Sequence, residues 1–98
     1  MLRHLVLFDV ADDASDEAVD AAVAALRGLA DEVDVVRELH VGRDAGLADG
    51  NAGLALLVVV DDAAAWRAYQ DHPAHQRVAA EQVRPVVTGR TAAQLLEG

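Results

Sequence analysis

The chain has 98 residues, of which 53% are hydrophobic, and it contains no cysteine. Asp and Glu total 17 against 8 basic residues, all arginine, which gives a formal net charge of −9. This length predicts a single domain over residues 1–98, and the negative charge argues against nucleic acid and anionic membranes as partners. Since no targeting signal and no long apolar run are visible, we expect a cytoplasmic location.

The first predicted element is a strand over residues 2–10, where side chains alternate with a period of two. One face of this strand carries Leu2, His4, Val6 and Phe8. The other face carries Leu5 and Leu7, so neither face is suited to water. We therefore expect both faces of this strand to be covered.

A helix and a second strand follow. Ser15 is placed to cap a helix whose first turn is acidic, and we expect that helix to end near Gly28 or Leu29. The valine-rich segment 33–41 predicts a strand with an irregularity at Val35–Val36. The glycine-rich segment 42–53 predicts a loop between adjacent antiparallel strands.

The second half of the chain repeats the strand and helix pattern. Residues 54–60 are a continuous apolar run that predicts a strand buried on both faces. Asp61 or Asp62 is expected to cap a helix that stops at His72-Pro73, where a new helix starts and continues to Arg84-Pro85. A last strand over 86–96 is expected to bend at Gly89.

The resulting order, βαββαβ, predicts an α+β, ferredoxin-like fold with a four-stranded antiparallel sheet and helices on one face. The apolar side chains on the opposite face then need a second cover. We expect a second copy of the chain to supply it, as a homodimer with two sheets packed face to face.

Chemistry-bearing side chains are densest at the predicted helix break, in the run Tyr69-Gln70-Asp71-His72-Pro73-Ala74-His75. Histidine titrates near neutrality and suits proton abstraction from a carbon acid. A tyrosine hydroxyl nearby suits hydrogen bonding to an enolate oxygen. His4, on the helix-facing side of the first strand, is expected to approach this corner.

Three features together resemble the stress-responsive A/B barrel family, also called Dabb. They are the start Arg3-His4-Leu5-Val6-Leu7-Phe8, the Asp-capped helix after the third strand, and the run Tyr69-x-x-His72-Pro73-x-His75. The resemblance covers essentially the whole chain. It implies the same βαββαβ unit assembled as a two-fold dimeric α+β barrel.

The resemblance also implies roles for particular residues. The family includes a plant polyketide cyclase whose catalytic tyrosine and histidine fall by motif on Tyr69 and His75. This implies a cyclase-like or isomerase-like enzyme acting on an apolar carbonyl compound, with His75 as general base. The residues that we expect to bind the ligand are His4, Phe8, Trp66 and His72.

Two other functions stay open. One is a non-catalytic dimeric module for stress response or for binding a small hydrophobic ligand, and the other is a monooxygenase-like enzyme of the same architecture. In the first case His75 would bond backbone at the helix start, Tyr69 would pack in the core, and His72 would cap a helix. No spacing of His, Asp or Glu suits a metal, and we expect neither a metal nor a cofactor.

Overall fold

A computed structural model describes residues 1–97 of the chain. The elements are β1 (Leu2–Val10), α1 (Asp16–Glu32), β2 (Glu38–Arg43), β3 (Leu54–Val60), α2 (Ala63–Asp71), α3 (Pro73–Val78) and β4 (Val87–Leu96). Between α3 and β4 lie a π-helical turn over Ala79–Val83 and a 3₁₀ turn over Arg84–Val86. Within the described residues, no helix is long and apolar enough to cross a membrane.

The four strands form one antiparallel sheet in the order β2-β3-β1-β4. This order, with helices on one face, confirms the predicted ferredoxin-like βαββαβ fold. Leu2, His4, Val6 and Phe8 of β1 are buried beneath the helices, as the period of two requires. β1 is one of the two central strands, and its side chains on this face reach the helical layer.

Two predicted bounds in the first half are wrong. The helix α1 continues past Gly28 to Glu32, because Leu29 is fully buried and its carbonyl accepts the amide of Val33. The second strand begins at Glu38 and not at residue 33, because the amide of Val36 bonds back to the carbonyl of Val33 in a turn. Val33 is buried in the core and does not pair in the sheet.

The loop between β2 and β3 depends on a close backbone approach at Gly53. The amide of Gly53 donates to the carbonyl of Phe8 at 2.9 Å. A Cβ at this position would lie 2.6 Å from Cγ2 of Val10. Glycine is therefore required here for β3 to enter the sheet beside β1.

The helical segment after His72-Pro73 does not stop cleanly at Arg84-Pro85. It changes at Ala79 from α-helical to π-helical geometry and then tightens into the 3₁₀ turn that contains Pro85. In β4, the pairing with β1 shifts register next to Gly89: Asp9 pairs with Gly89 and Val10 with Val87. Thr88 is the extra residue of this bulge, in the region where a bend was predicted.

The face of the sheet opposite the helices is apolar and uncovered in a single chain. Leu5 is 40% exposed and Leu7 is 49% exposed. They pair with Leu57 and Ala55 of β3 and share their face. A surface of this kind is typical of an interface between subunits.

We predict that Leu57→Asp dissociates a homodimer formed through this face, since the substitution would bury an unpaired carboxylate. Sedimentation of the wild-type chain at micromolar concentration should give twice the chain mass, and the variant should give a monomer or an unfolded chain. The matched control is Leu47→Asp, because Leu47 is 90% exposed in the β2–β3 loop. A well-folded wild-type monomer would contradict the prediction.

Candidate functional site

The site is built around the junction of α2 and α3. His72 stands between the helices with extended backbone (φ −63°, ψ 135°), and its Nδ1 accepts the amide hydrogen of Ala74 at 3.0 Å. Pro73 occupies the first position of α3, where its missing amide hydrogen costs nothing. His72 is thus used as a helix cap, and it does not line the cavity described below.

Four aromatic side chains converge beside this junction, and we call them the ring cluster: His4, Trp66, Tyr69 and His75. The Tyr69 and His75 ring centroids lie 4.7 Å apart in an edge-to-face arrangement. His4 lies 5.9 Å from Trp66 and 6.2 Å from Tyr69, again edge to face. The sequence prediction that the β1 histidine approaches the helix break therefore agrees with the geometry.

Three polar atoms of the ring cluster are buried without a hydrogen-bond partner among residues 1–97. They are Nε1 of Trp66, the hydroxyl of Tyr69 and Nδ1 of His75. A buried polar group without a partner typically costs about 1–3 kcal/mol. Such groups are uncommon in folded proteins, and their concentration in one cluster indicates a place where an incoming ligand or water would find unused donors and acceptors.

A cavity of about 120 Å³ lies between the sheet and the helical residues from α3 to the 3₁₀ turn. Most of its lining is aliphatic or aromatic, from Val6, Phe8, Leu26, Leu56, Ala79, Val83 and Val87. The polar lining consists of His4, Gln70, His75, Arg84 and Arg90. It is a small apolar space with a few convergent polar groups, which is the usual character of a small-molecule site.

The predicted site residues divide into two groups with respect to this cavity. His4, Phe8 and His75 line it. Tyr69 and Trp66, which we expected to line the same cavity, do not. Tyr69 is fully buried and packs edge to face against His75, so it is adjacent to the cavity through that ring and not directly exposed to it.

His4 is held as a neutral imidazole. It is 2% exposed, and both ring nitrogens face glutamine amides, with Nε2 of Gln94 at 2.9 Å from Nδ1 and Nε2 of Gln70 at 3.4 Å from Nε2. Burial, aided by the charges of Arg90 and His75, lowers the pKa of His4 to about 4. His4 therefore carries no charge at neutral pH.

Burial acts on the other two titratable rings as well. It lowers the pKa of His75, against an opposing effect of the Gln70 carbonyl and with smaller contributions from Arg90 and His72. It raises the pKa of Tyr69 to about 12. At neutral pH the ring cluster thus contains two neutral imidazoles, those of His4 and His75, which are able to accept a proton. The phenol of Tyr69 keeps its proton.

Arg84, Arg90, Gln70 and Gln94 are site residues that the sequence analysis did not identify. Arg90 pairs with Phe8 and Gln94 pairs with His4 across β1 and β4. Directly paired residues share a sheet face, so both side chains belong to the helix side. For Arg90 and Gln94 the sequence signal is this register, which a periodicity argument does not supply, whereas Gln70 lies within the run from Tyr69 to His75.

The chain has relatives along nearly its whole length. The family model of the Stress Responsive A/B Barrel Domain, Dabb, matches residues 2–95. A dimeric ferredoxin-like protein of unknown function from Thermobifida fusca is 32% identical, with a TM-score of 0.89 over 98% of this chain and 90% of that chain. No match was found among curated proteins.

More distant structures share the fold. A Dabb family protein from Mesorhizobium loti is 18% identical, with a TM-score of 0.81 over 98% of this chain and 95% of that chain. Hydroxynitrile lyase from Passiflora edulis is 17% identical, with a TM-score of 0.86 over 99% of this chain and 93% of that chain. At these identities the likeness shows the architecture alone.

We predict that the stability of the protein falls on acidification because of His4. Its folded pKa, about 4, lies below its ordinary value of 6.5, so the unfolded chain binds the proton more tightly. The stabilisation is complete above pH 6.5 and is lost as the pH falls from there towards 4, by up to about 3 kcal/mol. Urea denaturation at a series of pH values measures the effect.

The variant His4→Gln serves as the comparison. It removes the titrating group, so its free energy of unfolding should change less between pH 6.5 and pH 4 than that of the wild type. Equal pH dependence in both proteins would mean that His4 does not carry the effect.

Proposed function

The chain belongs to the stress-responsive A/B barrel family, and from this membership and the site geometry we propose that it binds a small apolar carbonyl compound and catalyses a proton transfer on it, with His75 as general base. The reaction class is cyclase-like or isomerase-like. The observation that carries the proposal is the ring cluster, in which three buried polar atoms have no partner among residues 1–97 next to an apolar cavity. A core evolved for stability alone would not concentrate such groups.

His75 has the properties of a base at this position. Its ring borders the cavity, and burial keeps its pKa below the ordinary value, so it is neutral and able to accept a proton at pH 7. Nδ1 is buried and has no hydrogen-bond partner among residues 1–97. We assign proton abstraction from the carbon next to the ligand carbonyl to the His75 ring.

Tyr69 supplies the hydrogen-bond donor in this proposal. With a pKa of about 12, its hydroxyl stays protonated while an enolate forms, and donation to the enolate oxygen would stabilise the developing charge. Since the His75 ring packs against Tyr69 at 4.7 Å, the donation requires that ring to shift when the ligand enters. A movement of one side chain is a small change for a ligand-bound state.

The lining favours apolar ligands over polar ones. Phe8 and the aliphatic side chains give the cavity an apolar wall, and His4 is fixed by Gln94 and Gln70. An engineered apolar cavity of about 150 Å³ takes up benzene. A space of about 120 Å³ therefore suits a short alkyl chain or a group near the size of one ring.

The proposal is tested by deuterium exchange at the α carbon of 2-heptanone in D₂O, followed by proton NMR. The wild-type protein should accelerate the exchange, and His75→Gln should reduce the acceleration by about 10²–10⁴-fold, the usual contribution of a general base. Because the pKa of His75 is lowered, the acceleration should stay constant as the pH falls through 6.5 and decline only below it.

The matched control is Arg67→Gln, which removes an exposed charge from α2 away from the cavity lining. It should exchange at the wild-type rate. If 2-heptanone shifts the NMR signals of the cavity residues without any accelerated exchange, the catalytic proposal is wrong and the protein is a binding module. Oxygen consumption with the same compound would instead indicate a monooxygenase-like activity.

We further predict that Tyr69→Phe lowers the activity of the protein without lowering its stability. Removal of a buried hydroxyl without a partner should leave the free energy of unfolding unchanged or raise it by about 1 kcal/mol. Loss of the donor should slow exchange by about tenfold or more. Urea denaturation together with the exchange assay measures both; a destabilised variant with normal exchange would show that the hydroxyl is structural.

A further inference from the structure

We propose that the ligand of this cavity carries a carboxylate, which Arg84 and Arg90 bind at the cavity mouth. The inference rests on the proposed function and deepens it, because it assigns a substrate class to the same site: an apolar oxo acid whose ketone and hydrocarbon part occupy the cavity and whose carboxylate stays at the mouth. Three observations on the two arginines support it: where they lie, their lack of a carboxylate partner, and the residues around them.

Both arginines lie where the cavity meets solvent. Outside it is a second depression of about 300 Å³. The residues that line both spaces are Gln70, His75, Ala79, Arg84 and Arg90. The two spaces are therefore adjacent, and a ligand that enters the inner one from the outer one passes Arg84 and Arg90.

Neither guanidinium has an ionic partner within the described residues. In this acidic chain, four other arginines pair with carboxylates at 2.8 to 2.9 Å: Arg3, Arg37, Arg43 and Arg77. No Asp or Glu lines the cavity or the outer depression. Arg27 and Arg67 also lack a carboxylate partner among residues 1–97, but Arg84 and Arg90 are the unpaired arginines that line the cavity and the outer depression.

The fold directs these two side chains to the same place from different elements. Arg90 pairs with Phe8 and lies on the helix side of β4, while Arg84 begins the 3₁₀ turn after the π-helical turn. Two guanidinium groups from separate elements are well suited to hold a planar, doubly accepting group such as a carboxylate. A single neutral carbonyl would leave most of their donors to water.

The field of Arg90 reaches the ring cluster. Its positive charge lowers the pKa of His4, of His75 and of Tyr69. A carboxylate bound beside Arg90 would offset that charge and raise the pKa of His75. Ligand binding would thereby make the base stronger, since a higher pKa means a greater affinity for the proton.

The experiment compares hexanoate with hexanamide, which differ in charge and hardly in shape, by NMR titration of the full chain at low ionic strength. Hexanoate should bind about tenfold more tightly than the amide. Arg84→Gln and Arg90→Gln should each weaken hexanoate binding by about fivefold to tenfold and leave hexanamide binding unchanged. Arg67→Gln, the exposed control, should change neither.

Two further readouts complete the test. Hexanoate should raise the pKa of His75 followed by NMR, and Arg90→Gln should abolish most of that rise. Inorganic phosphate alone should bind much more weakly than hexanoate, because it cannot fill the apolar cavity. Phosphate binding as tight as that of hexanoate would overturn the assignment of an apolar carboxylic acid.

Equal binding of hexanoate and hexanamide, or hexanoate binding that is unaffected in both arginine variants, would overturn the inference. Failure of this inference is distinguishable from failure of the proposed function. If hexanoate and hexanamide bind equally and 2-heptanone exchange is accelerated, the carboxylate proposal is wrong and the proposed function stands. If hexanoate binds more tightly and exchange is not accelerated, the carboxylate proposal stands and the catalytic role of His75 is wrong.

Discussion

The site depends on the interruption of one helix at His72-Pro73. Proline lacks the amide hydrogen that would continue α2, and its ring excludes the preceding residue from helical backbone. The amides at the start of α3 then need a new acceptor, and Nδ1 of His72 provides one for Ala74 at 3.0 Å. Without this break, Tyr69 and His75 would lie on one continuous helix, and their rings would not meet edge to face beside the end of α2.

A second constraint is electrostatic. The chain is strongly acidic, yet its candidate site contains neutral imidazoles and two free guanidinium groups, and no carboxylate lines it. Burial keeps the imidazoles neutral, and the neighbouring arginine charge acts in the same direction. A resident carboxylate facing the imidazoles, with no guanidinium beside it to offset its charge, would favour protonated rings, which cannot act as bases.

Much of the fold followed from local patterns. The limits of β1 and β3 agree with prediction because period-two alternation and a short continuous apolar run are distinctive signals. The predicted end of α1 and the predicted start of β2 were wrong. Leu29 and Val33 are apolar because both are buried in the core, and an apolar residue can be buried in a helix, a turn or a strand. A glycine such as Gly28 is tolerated inside a helix when its neighbours are buried.

The candidate site could be predicted only where its parts are close in sequence. Tyr69, His72 and His75 belong to one run, and their meeting at a helix break follows from proline chemistry. Arg90 and Gln94 enter through pairing of β4 with β1, which joins residues more than 80 positions apart. The failure of Tyr69 and Trp66 to reach the cavity surface depends on the packing of individual rings, which no sequence period encodes.

The π-helical turn has a consequence for how the site could diversify. Its first residue, Ala79, lines both the inner cavity and the outer depression, so a single methyl group borders the passage between them. A bulkier side chain at this position would narrow the entrance without altering any charged or titrating group. Size selectivity and chemistry are thereby encoded at separate positions, and mutation can change the first while the second is conserved.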